Sequence, residues 1–181
     1  MSFDRMMVTA EDYRHYAQKK SNAHYRMSET AKARHNQLGI PVTVATTVVG
    51  TAIFATINSP TQSIWIQVAA GLLSLAAAVL AALQTFFNFS DVASQHKDAA
   101  ASYEATRHQL DWFILSNARF QAESNLDEPL KALREIAAGL DEVAKKAPSI
   151  PDSVYDAVQT RVATRPILAT IDQEEKKGNE A

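Results

Sequence analysis

The chain has 181 residues, 46% apolar and 21% charged, a length that suits one domain rather than two. Residues 36–90 contain no Asp, Glu, Lys, Arg or His, where average density would place about twelve charges. That segregation excludes a simple water-soluble globule. The net charge of −2 with no long basic run gives no handle for direct nucleic-acid binding, and the absence of cysteine removes disulfides, thiolate metal sites and thiol nucleophiles.

The first predicted element is an N-terminal amphipathic helix within residues 1–39. Thr9 is placed to cap it, with Glu11 and Asp12 in the first turn favouring the positive end of the helix dipole. It should run to about Leu38, where Gly39 and Pro41 read as a hinge into the apolar block. The polar N-terminus reads as one without a cleavable signal peptide, so the first apolar stretch is expected to remain as an anchor.

Two transmembrane helices are expected next, over residues 40–57 and 64–89. A bilayer core of about 30 Å needs about 20 helical residues, which the second segment exceeds and the first approaches. The first carries Thr43, Thr46, Thr47, Thr51 and Thr56. Each hydroxyl can bond the carbonyl one turn back, which lowers its cost in lipid. The connecting loop, residues 58–63, holds turn formers and no charge and is too short to cross the bilayer, so the spans must form a hairpin. Seven Lys or Arg in residues 1–35 and none in the loop place both termini in the cytoplasm. Trp65 would mark the outer interface, and Phe86, Phe87 and Phe89 the inner one.

No Pro or Gly occurs from Leu72 to Glu128, so the second helix is expected to leave the membrane unbroken and continue through residues 90–125. Spacings of four and three connect Val92, His96, Ala99, Tyr103, Thr106, Leu110, Phe113, Asn117 and Phe120 into a seam. The N-terminal helix offers a weaker counterpart in Tyr13, Ala17, His24, Met27 and Ala31, which predicts an antiparallel cytoplasmic pair. Residues 126–166 should form two shorter helices, one starting at Asp127-Glu128-Pro129 and one capped by Asp152 and running to about Thr164. Residues 167–181 read as a polar tail. The predicted fold class is therefore all-α, a transmembrane hairpin extended into a cytoplasmic helical stalk.

Glu11 with His15, and Glu104 with His108, stand one helical turn apart. Neither pair completes a metal motif, and such pairs on wet helices are usually solvated, so no metal, cofactor or enzymatic activity is expected. His24 and His96 fall on the facing seams with Tyr103, where a buried imidazole would respond to pH. Within the apolar block, Thr43, Thr47 and Thr51 recur every four residues, and Gln67, Ser74, Ala78, Ala81, Gln84, Thr85 and Asn88 place small or polar groups on the second helix. Such stripes serve close helix packing or line a water-filled pore, and a pore requires several copies because two helices cannot enclose one.

The run Ala31-Lys32-Ala33-Arg34-His35-Asn36-Gln37-Leu38-Gly39-Ile40-Pro41, the Thr-rich span with Gly50-Thr51 and Phe54, the segment Leu80-Ala81-Ala82-Leu83-Gln84-Thr85-Phe86-Phe87-Asn88-Phe89 and the following Ala93-Ser94-Gln95-His96 to Tyr103 stretch resemble the SLATT domain. This is the bacterial two-transmembrane effector associated with SMODS nucleotidyltransferases and SLOG sensor domains. The resemblance covers about residues 10–125. It implies an anti-phage or related conflict system, in which a homo-oligomeric pore-forming effector damages the membrane when an operon-encoded nucleotidyltransferase or SLOG protein signals. The competing expectation is a non-conducting, membrane-anchored adaptor whose cytoplasmic helices recruit a partner.

Overall fold

The computed structural model describes residues 2–57, 64–118 and 126–159, the side chains of residues 52–57 and 159 excepted. The expected loop 58–63, Phe120, the second half of the last predicted helix and the tail 167–181 lie outside the described residues. Every element among the described residues is helical: α1 Phe3–Ile57, α2 Ile64–Phe87, α3 Phe89–Asn117, α4 Asp127–Lys146 and α5 Asp152–Gln159. The chain divides into two compact units, one of Met1–Met27 with Gln95–Ala181 and one of Ser28–Ser94.

The first unit is built on apolar positions at helical spacing. Met6, Met7 and Ala10 of α1 meet Leu110, Phe113 and Ile114 of α3 and Leu133 of α4 in one buried cluster. Ala17, Tyr103 and Leu140 form a second. The α3 seam is buried at His96, Ala99, Tyr103, Thr106, Leu110 and Phe113, so its polar members lie in the same row as its apolar ones. In α4, Leu133 and Leu140 are buried, two turns apart on one face. Its ends follow the helix dipole, with Asp127 and Glu128 in the first turn and Lys145 and Lys146 in the last.

The start of α1 differs from the expectation. The helix begins at Phe3, upstream of the proposed cap, and the Thr9 hydroxyl donates to the Arg5 carbonyl at 2.8 Å as a mid-helix residue. Apolar burial of Met6 and Met7 carries the helix past that capping signal. The expected stop at Leu38 is also absent, since α1 passes through Gly39 and Pro41. Proline removes one backbone donor from the ladder. Just beyond it, the Thr43 hydroxyl donates to the Gly39 carbonyl at 2.9 Å.

In the second unit, α1 runs antiparallel to α2 and to the start of α3. The Ser28 hydroxyl donates to the Ala93 carbonyl at 2.8 Å, and farther along α1 the Gln84 amide lies 3.2 Å from where a Cβ on Gly39 would stand. That close approach is what the missing side chain of Gly39 permits. The helix expected to be unbroken after Ile64 is interrupted at Asn88, whose φ is +40°. Asparagine enters this left-handed region more readily than other side-chain-bearing residues. The break is held on both sides: the Asn88 amide donates to the Gln84 carbonyl at 3.2 Å, and the Asn88 carbonyl accepts from Asp91 at 3.0 Å. Its side-chain amide donates to the Asp91 carboxylate at 2.7 Å. Replacing Asn88 with Val should lower stability by about 1–2 kcal/mol, while Asn88→Gly should change it by only a few tenths. Thermal melts of the two variants against the parent check this.

Among the described residues, one helical stretch, Ile64–Asn117, contains a segment long and apolar enough to cross a membrane, and 6% of that segment is buried. Leu72, Leu75, Val79 and Phe86 stand exposed on α2, and Ala77 is its one buried residue among those described.

Candidate functional site

Two arrangements hold the chemistry-bearing side chains. The first is a polar seam inside the first unit. Spacing along α1 puts Arg14, Ala17, Ser21 and His24 on the face turned to α3, and spacing along α3 returns His96, Ala100, Tyr103, Arg107 and Asp111. At one end, the Nδ1 atoms of His24 and His96 stand 2.8 Å apart. The Tyr103 ring stacks on His24 with centroids 5.5 Å apart and meets Tyr16 edge-on at 6.4 Å. Between them, the Ser21 hydroxyl donates to the Ala100 carbonyl at 3.1 Å. Lys20 lies over the rings of Tyr16 and Tyr155, at 5.7 and 4.8 Å, which ties α5 to α1.

Burial sets the acid–base character of this seam. Loss of solvent pushes the His24 imidazole down to about 4, helped by the neighbouring His96 and by Lys20. Burial also lowers His96. Tyr103 is pushed up to about 12, first by burial and then by Tyr16. Each group is thereby held neutral near pH 7, the cheaper state for a side chain removed from water.

At the other end the seam is ionic. Arg14 donates through Nε to Asp111 Oδ1 at 2.5 Å, and Arg107 donates to Asp111 Oδ2 at 2.6 Å and to Glu104 at 2.7 Å. The hydrogen bond from Arg107 is the main cause holding Glu104 below its ordinary range. Glu11, expected on a wet face, is instead buried beside Arg14 at 3.6 Å and His15 at 3.7 Å. Glu104 and His108 approach to 3.4 Å with His108 well exposed. No group of three or more His, Asp or Glu suited to a metal ion occurs among the described residues.

The second arrangement lies in the second unit. Gln67, Ser74, Ala78, Thr85 and Asn88 are exposed, whereas Ala81 and Gln84 are half-buried. Gln84 faces Gly39, and with His35, Asn36 and Thr43 it lines one cleft. Thr43, Thr47 and Thr51 are exposed, and their hydroxyls are satisfied within α1: Thr47 donates to the Thr43 carbonyl at 2.8 Å, and Thr51 donates to the Thr47 carbonyl. Thr85 does the same to Ala81 at 3.0 Å. These threonines reach no other helix through their hydroxyls in those bonds.

Sequence reasoning did not find the Arg14–Asp111–Arg107 bridge. Half of it was readable, because Glu104, Arg107 and Asp111 stand three and four residues apart on one helix. The other half depends on the register of α1 against α3, which the spacing of either helix alone leaves open.

The family model described as a protein of unknown function (DUF4231) matches residues 12–122, and the chain belongs to that family. No curated protein and no solved structure matches the chain.

Proposed function

We propose that this DUF4231 protein is an oligomeric effector of the bacterial inner membrane, one that forms a pore when an associated nucleotide-linked sensor triggers it. In this reading α2 and the second half of α1 form a transmembrane hairpin, and the first unit is cytoplasmic. The resemblance to the SLATT domain supplies the conflict-system setting and the operon-encoded nucleotidyltransferase or SLOG partner.

The observation that carries the reading is the exposure of α2. Its apolar segment is 6% buried, and so much contiguous apolar surface is not stable against water. Lipid or neighbouring copies of the same helix are the two environments that accept it. Along the same helix, Gln67, Ser74, Ala78, Ala81 and Thr85 follow one another at seven, four, three and four residues, a spacing that keeps them on one face, and Asn88 stands at the break just beyond its end. Facing an axis between several copies, that stripe would present hydroxyls, amides and methyls to water while Leu72, Leu75 and Phe86 contact lipid.

Purified full-length protein in dye-loaded liposomes tests the reading. Release of dye in the presence of the operon partner and its nucleotide is the expected result. Stable insertion with the dye retained under the same conditions would turn the assignment to the adaptor.

A further inference from the structure

We propose that the His24–His96 pair is an acid-sensitive clasp: neutral, it ties α1 to α3 within the first unit, and protonation of both rings releases the two helices from each other. The pair lies wholly inside that unit, so the inference stands apart from the membrane reading.

The contact joins the two Nδ1 atoms at 2.8 Å. One ring must donate its Nδ1–H and the other must accept on an Nδ1 lone pair. His24 is 1% exposed and His96 4%, so water cannot take over the bond. A first added proton goes to an Nε2 and leaves the Nδ1–H to Nδ1 link intact. A second puts hydrogen on both Nδ1 atoms. Two donors then face each other, on two cations whose ring centroids are 5.1 Å apart. Neither the bond nor the burial survives that state.

The surrounding groups do not relieve it. On α1 the charge facing His24 is Lys20, of the same sign; on α3 the neighbouring titratable group is Tyr103, stacked on the ring and held neutral. From α4 and α5, Asp141 and Tyr155 act on Tyr16, one ring farther along the seam. Of the other histidines, His15 lies 3.7 Å from the Glu11 carboxylate and His108 3.4 Å from that of Glu104.

Burial, the neighbouring ring and Lys20 hold His24 down to about 4, and burial lowers His96. In separated helices both rings return to about 6.5. The open form therefore binds more protons, and the equilibrium moves toward it as pH falls from about 6.5 toward 4. The open form holds two protons where the closed form holds none or one. The opening constant should rise between about tenfold and about a hundredfold for each pH unit in that window.

The chain has no cysteine, so Tyr25→Cys and Ala101→Cys place two spin labels on exposed positions of α1 and α3. Distances between them, measured on the full chain from pH 8 to pH 4.5, read the opening directly. One short distance at pH 8 should give way to a longer population, with log opening constant against pH steeper than one. His24→Gln and His96→Gln should each reduce that slope to one or less. An unchanged distance across the window overturns the proposal, as does a parental slope in both glutamine variants. Should the glutamine variants lose the parental distance at pH 8, His15→Gln/His35→Gln/His108→Gln decides the matter, because it leaves the pair as the only histidines of the five. A retained slope supports the clasp, and a lost one overturns it.

Discussion

Asp111→Ala lowers the stability of the first unit by about 3–5 kcal/mol. Asp111 accepts from Arg14 on one oxygen and Arg107 on the other, at 2.5 and 2.6 Å. The Arg14 side chain is 8% exposed, so removal of the carboxylate strands a guanidinium that water cannot reach, with the longer 3.6 Å contact to Glu11 left to it. The damage comes from leaving that buried charge with one longer, weaker contact rather than from the lost bond alone. Glu104→Ala provides the contrast. Glu104 is about a third exposed, and its loss should cost about 0–1 kcal/mol because solvent screens the Arg107 it leaves behind. Asp111→Asn should fall between, since an amide oxygen still accepts one bond but carries no charge. Denaturant midpoints of the three variants measure the order. Equal losses for Asp111→Ala and Glu104→Ala would mean that Arg14 is solvated in solution.

The period of a helix is legible in its own sequence, whereas its register against a neighbour is not. Periodicity alone put His96, Ala99, Tyr103, Thr106, Leu110 and Phe113 in one row, and all six are buried. A helix that packs on one face imprints its period whatever it packs against. The pairing of particular residues needs the relative slide of two helices, so the seams bring His24 and His96 to facing helices, whereas no local spacing points from Arg14 to Asp111. Local signals misled in three places because tertiary burial or a single backbone angle outweighed them. Thr9, Glu11 and Asp12 form a plausible start, yet Met6 and Met7 bury one turn earlier and extend α1 to Phe3. Pro41 removes one donor from a helix of 55 residues without ending it. Asn88, read as a polar addition to a continuous helix, takes up the left-handed turn that separates α2 from α3. Its neighbours lack Gly and Pro, which is why a count of breakers overlooked it.

Ser74→Leu should abolish leakage, or cut it by on the order of tenfold or more, without preventing insertion, if α2 lines a pore. Ser74 is exposed, between Gln67 and Ala78 on the polar stripe. Repeated around a ring of copies, leucine at this position replaces hydroxyls with a narrow apolar collar, which expels water and blocks ions. The substitution raises the apolarity of α2, so membrane insertion itself is favoured rather than harmed. Gln84→Leu asks a different question. The Gln84 side chain stands against Gly39 inside the α1–α2 pair, so leucine there tests close packing of the hairpin and should disturb assembly before it narrows a lumen. Leakage lost in Ser74→Leu with the detergent-solubilised mass of the oligomer unchanged marks a lumen position. Leakage lost in Gln84→Leu together with a smaller mass marks a packing position. A tether needs apolar length alone, and both variants would then keep full toxicity in cells, since nothing passes between the helices for leucine to block.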